Sequence, residues 1–80
     1  MLRIYCDANA RDEHNRYILA ITGALRDIEP IADKLRIGMH VILYEDEYEV
    51  EAVLDLDHEN NIWVASAIWS TIRYFPREGR

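Results

Sequence analysis

Between residues 37 and 72 the chain contains no lysine and no arginine. Binding to nucleic acid needs cationic side chains to neutralise phosphates, so this stretch argues against nucleic acid and against anionic membranes as partners. Cysteine is almost as scarce. Cys6 stands alone, so no disulfide can form within the chain. Small secreted domains usually carry paired cysteines, and a lone thiol fits a reducing, cytoplasmic setting. The three glycines are scattered at 23, 38 and 79, which leaves no glycine-rich phosphate loop. Long apolar runs are missing too. The longest uncharged stretch, 60–72, holds asparagines and serines and is too short to span a bilayer. No basic flank leads into a long apolar segment at the N-terminus, so no signal peptide is expected.

What the sequence does have is acid in one place. Residues 1–36 carry six acids and six bases, and 73–80 carry three arginines and one glutamate. The net charge of −6 therefore sits on the middle of the chain, which holds Glu45, Asp46, Glu47, Glu49, Glu51, Asp55, Asp57 and Glu59. Such a stretch repels polyanions and attracts basic partners; its plainer role is a solvated face that maintains solubility. Half of the 80 residues are apolar and eight are aromatic, enough for one compact core. A single domain is expected over 1–76, with 77–80 a frayed tail after Pro76.

Hydrophobic periodicity reads as mostly β. In 48–57 the even positions are Tyr48, Val50, Ala52, Leu54 and Leu56, and four of the five odd ones are acidic. That alternation is the period of a half-buried strand. A β-favouring run, Met39–Tyr44, precedes it, with Glu45-Asp46-Glu47 as the hairpin loop. Asn60-Asn61 supplies the next turn and 61–66 the next strand, because asparagine tolerates left-handed backbone. Strands 39–45, 48–57 and 61–66 then form an antiparallel meander. Upstream, Leu2–Asp7 predicts a strand with Leu2, Ile4 and Cys6 inward. Residues 16–28 are ambiguous. Tyr17, Ile18, Ile21, Leu25 and Ile28 make a helical stripe, whereas Tyr17, Leu19 and Ile21 alternate; Gly23 and the isoleucines tilt 16–22 towards strand. Pro30 suits the first turn of a short helix to Leu35, and Gly38 stops it. Trp69–Ile72 reads as one helical turn, and Arg73–Phe75 as a closing strand.

This order of elements resembles the SH3-like barrel. Leu43-Tyr44-Glu45-Asp46-Glu47-Tyr48 is similar to the aromatic string of such domains, and Ile62-Trp63-Val64-Ala65 to their tryptophan strand. The resemblance implies a small barrel of five or six antiparallel strands with a short helical turn. Only about twenty residues separate the two strings, against some thirty in peptide-binding SH3 domains, so no proline-peptide site is carried over.

Signals for chemistry are weak. Asp55-Leu56-Asp57-His58-Glu59-Asn60 opens like a calcium loop, but Asn60 stands where glycine is needed and Ser66 where a bidentate glutamate is needed. His14, His40, His58 and Cys6 show no zinc-ligand spacing. Cys6 shares the inward parity of Ile4, and Ser66 and Ser70 lack any nucleophile motif. No enzyme, metal or cofactor is expected. The expected function is a protein-interaction module whose acidic, aromatic face docks onto a basic protein surface. Tyr44, Tyr48, Trp63 and Trp69 would supply contact area, and Glu45, Asp46, Glu47, Glu49 and Glu51 would steer the partner. The aromatics could equally be core. A small inhibitor or immunity-type protein, or a metal- or small-ligand-binding accessory to an enzyme, is the alternative, and the apolar surface leaves room for a homodimer.

Overall fold

The computed structural model describes residues 1–76; the expected frayed tail, 77–80, lies outside them. Six strands run in chain order: β1 (Arg3–Tyr5), β2 (Tyr17–Ile18), β3 (His40–Tyr44), β4 (Tyr48–Asp57), β5 (Ile62–Ala67) and β6 (Arg73–Tyr74). A helix, α1 (Thr22–Ile28), follows β2 and continues as a 3-10 segment, Glu29–Lys34; a second 3-10 turn, Trp69–Thr71, precedes β6. The sheet order is β1-β3-β4-β5-β2, with β6 pairing β4 off that path. The result is a curled, mixed sheet, a half-barrel with one short helix.

The meander is present as the periodicity predicts. β4 covers Tyr48–Asp57, and Tyr48, Val50, Ala52 and Leu54 are buried between half-buried neighbours. β3 runs along one edge of β4, from Tyr44 opposite Glu49 to His40 opposite Val53. Two partners share the other edge: β6 at Tyr48 and Glu49, then β5 from Ala52 to Asp57. The second 3-10 turn fills the gap between them. The Glu51 N–H donates to Thr71 Oγ1 at 2.9 Å, and the Ile68 N–H to the Glu51 carbonyl at 2.8 Å. Asn61 takes the left-handed conformation the β4–β5 turn needs, at φ 55°, and the Asp57 carboxylate accepts the N–H of Glu59 and of Asn60.

Two expectations are corrected. The sheet is not wholly antiparallel, because β1 pairs β3 in parallel, Ile4 opposite Leu43. Residues 6–39 provide a crossover long enough for that arrangement. Nor do 16–22 form one strand. β2 ends at Ile18, and the chain turns into α1, whose Ala24 and Ile28 are buried. The glycine that argues against helix is where β1 needs space: a Cβ on Gly23 would lie 2.5 Å from Cδ2 of the Tyr5 ring. The helix also caps the outer edge of β1, since Asp27 Oδ2 accepts the Tyr5 N–H at 2.9 Å. This relieves the exposed-edge problem that a lone parallel strand would pose.

The core lies in the hollow of the half-barrel. Ile4, Cys6, Tyr17, Leu19, Ala24, Val41, Leu43, Val50, Ala52, Leu54 and Ala65 are closed to solvent or nearly so. Two phenols inside it satisfy each other, with the hydroxyls of Tyr17 and Tyr48 2.6 Å apart. A buried hydroxyl without a partner costs about 1–3 kcal/mol; this pairing, with Arg11 Nη2 donating to the Tyr17 hydroxyl at 2.9 Å, satisfies both phenols. Among the described residues no helix is long and apolar enough to cross a membrane.

Candidate functional site

The hairpin that joins β3 to β4 is closed by the Glu45 N–H donating to the Tyr48 carbonyl at 3.0 Å. This places Glu45, half-buried, at the root of the turn and exposes Asp46 and Glu47 at its tip. β6 pairs with the start of β4 next to this turn, and the Phe75 N–H donates to the Glu47 carbonyl at 2.8 Å. Acidic turn and C-terminal strand are thus tied together. Between them runs a groove of about 390 Å³ lined by Asp46, Glu47, Tyr74, Phe75 and Pro76. Tyr74 is 68% exposed, and on its buried side its ring meets Tyr48 edge to face, with centroids 5.8 Å apart.

Three acids stand together at this turn. Burial raises the pKa of Glu45 above the ordinary glutamate value, and the neighbouring charges of Glu47, Asp46 and Asp7 add to the rise. Glu49, on β4, is shifted the other way. Glu49 is held below the ordinary range by Arg3, whose Nη1 donates to it at 2.8 Å, and Arg73 Nη2 adds a bond at 3.1 Å. Glu51 faces His40, with Nδ1 2.6 Å from Oε2. The five acids therefore divide by position into a turn set, Glu45, Asp46 and Glu47, and a strand set, Glu49 and Glu51.

The four aromatics divide as well. Tyr48 belongs to the core. Tyr44 lies on the outer face of the sheet, half-buried; its ring is edge to face with Tyr5 at 5.8 Å, Arg3 lies 4.8 Å above it, and its hydroxyl donates to Asp27 at 2.7 Å. Trp63 is half-buried and packs against the core from β5. Trp69 is 44% exposed at the 3-10 turn, where Arg11 lies 5.2 Å from its ring and 4.1 Å from that of Tyr17. The turn acids Asp46 and Glu47 thus share a groove with two aromatic side chains, the exposed Tyr74 and the half-buried Phe75. Sequence reasoning assigned those two to a closing strand and no more. The missing information was β6's partner: pairing with the start of β4 places them beside the acidic turn.

Two further grooves lie on the outer face. One of about 370 Å³ is lined by Tyr5, Gly23, Arg26, Asp27 and Tyr44, and its carboxylate already accepts the Tyr5 N–H and the Tyr44 hydroxyl. The other, about 210 Å³, lies over Ile42, Val50 and Thr71 among the paired charges of Glu49, Glu51 and Arg73. No group of three or more His, Cys, Asp or Glu among the described residues is arranged to hold a metal ion. Burial first, then Glu45, pushes the Cys6 thiol up to about 12, so the nucleophilic thiolate is not its resting form. No protein-family model, curated protein or solved structure matches the chain.

Proposed function

We propose that this chain is a non-enzymatic, cytoplasmic interaction module that docks onto a basic protein surface. The half-barrel, with its meander, one-turn helix and closing strand, is read as a variant of the SH3-like barrel. The observation that carries the function is the groove between the acidic turn and β6. It joins the acids Asp46 and Glu47 to Tyr74, Phe75 and Pro76. Carboxylates at the rim raise the encounter rate of a basic partner, and fixed aromatic rings supply contact area at little entropic cost. Glu49 and Glu51 contribute less to steering, because Arg3, Arg73 and His40 offset their charge locally. A small inhibitor that covers a basic active site would use the same surface.

The test is capture of proteins from native lysate on the immobilised chain, at low and raised salt, beside a Glu45→Gln/Asp46→Asn/Glu47→Gln variant. A basic protein held by the parent at low salt, and by neither the variant nor the parent at raised salt, supports the reading. Equal retention by parent and variant contradicts it.

A further inference from the structure

Independently of the docking reading, we infer that the groove lined by Tyr5, Gly23, Arg26, Asp27 and Tyr44 binds a small zwitterion, a free α-amino acid with an apolar side chain. The charges of the lining lead there. Arg26 and Asp27 are consecutive residues of α1, and both line the same space of about 370 Å³. A ligand with only a carboxylate would meet the repulsion of Asp27, and one with only an ammonium that of Arg26. An α-amino acid carries both charges on one carbon. Its carboxylate takes the guanidinium and its ammonium takes the Asp27 carboxylate, each through charge-assisted hydrogen bonds.

Both charged groups have hydrogen-bonding capacity left. Asp27 accepts the Tyr5 N–H and the Tyr44 hydroxyl through Oδ2 alone, at 2.9 and 2.7 Å, which leaves Oδ1 open to a donor from the ligand. Those two bonds fix the carboxylate before anything binds, from β1 and from β3, so ordering it costs nothing further. The Arg26 side chain is exposed, and no hydrogen bond or ion pair to another described residue occupies its guanidinium.

The rest of the lining suits an apolar side chain. Tyr5 and Tyr44 present half-buried rings, edge to face with centroids 5.8 Å apart. Arg3 braces Tyr44 at 4.8 Å from the ring centre and is itself held by Glu49 at 2.8 Å. Gly23 brings helix backbone against the Tyr5 ring and adds no side chain to the groove. An aromatic or aliphatic side chain laid on these rings removes apolar area from water on both partners. Capping the edge of β1 accounts for Asp27, but it needs neither Arg26 nor an opening beside the rings.

The test is a backbone-amide NMR titration of the full chain with L-phenylalanine, 3-phenylpropionate, phenethylammonium and glycine at matched ionic strength. Phenylalanine should give saturable shifts at residues 5, 23–27 and 44. Each single-charge probe should bind more weakly by about tenfold or more, the loss of one hydrogen bond to a charged group. Glycine, with both charges and no side chain, should also bind more weakly than phenylalanine. Arg26→Gln removes an exposed side chain without disturbing the fold, so the spectrum should stay that of the folded parent while phenylalanine binding falls to the level of phenethylammonium. Shifts that do not saturate, or that centre on residues 45–47 and 73–75, would overturn the inference. So would a single-charge probe or glycine binding as tightly as phenylalanine, or unchanged phenylalanine binding by Arg26→Gln.

Discussion

Replacing Gly23 with alanine sets two effects of known sign against each other. Gly23 lies in α1 and has no positive φ, so helix propensity alone favours alanine by about 1 kcal/mol. Against this, the new Cβ would sit 2.5 Å from Tyr5 Cδ2 and 3.1 Å from Cγ and Cε2. Those atoms include the root of the ring rather than a flexible tip. The ring cannot swing freely, because it packs edge to face on Tyr44, and Asp27 holds the Tyr5 N–H to the same helix. Overpacking of this kind costs about 1–3 kcal/mol. The clash therefore wins, and Gly23→Ala should destabilise the fold by up to about 2 kcal/mol, or several degrees in Tm for a domain of this size. Urea unfolding followed by tryptophan fluorescence measures it. The sign should reverse when Tyr5 is first replaced by alanine, leaving the propensity gain alone. Destabilisation that persists in the Tyr5→Ala background would refute the reasoning.

Further expectations concern the core and the paired charges. Leu54→Ala empties a site at the centre of β4 that is 1% exposed and should cost about 2–5 kcal/mol in the same assay; a loss below 1 kcal/mol would mean that β4 does not carry the core. Tyr17→Phe should cost more than Tyr48→Phe, because it removes the partner of both Arg11 Nη2 and the Tyr48 hydroxyl; calorimetry giving the opposite order would contradict the phenol pairing. The Glu49 pKa is lowered in the folded state, first by its hydrogen bond to Arg3, so its stabilisation is complete above the unfolded glutamate value of about 4.5 and is lost as pH falls through the lower folded value. Glu49→Gln should accordingly flatten the acid side of the stability–pH curve, and a curve parallel to the parent's would show the ion pairs to be inert.

Legibility in the sequence followed the reach of each signal. The register of β4 was readable because alternation over ten residues leaves one face for the core, and Asn60-Asn61 marked the next turn by its backbone preference alone. The segment 16–28 was not. Its helix depends on Gly23 meeting a ring eighteen residues upstream, and no local rule reports that. The parallel pairing of β1 is equally non-local, since nothing within Leu2–Asp7 sets the direction of its neighbour. The acids of the site were evident from composition, but their division was not. Arg3 and Arg73 reach Glu49 from sequence positions 46 and 24 residues away, while the turn acids meet Tyr74 and Phe75 only through β6.

The most direct measurement of the docking claim is the association rate of a captured basic partner with two charge variants, across a range of salt. Neutralising Glu45, Asp46 and Glu47 together should slow association about tenfold or more and flatten its salt dependence, because these acids stand together at one turn beside the aromatic groove. Neutralising Glu49 and Glu51 should slow it far less, since arginine and histidine already face them. Equal rates for parent and turn variant, or a larger effect from the strand pair, would contradict the account and leave the acidic turn as a solvated loop.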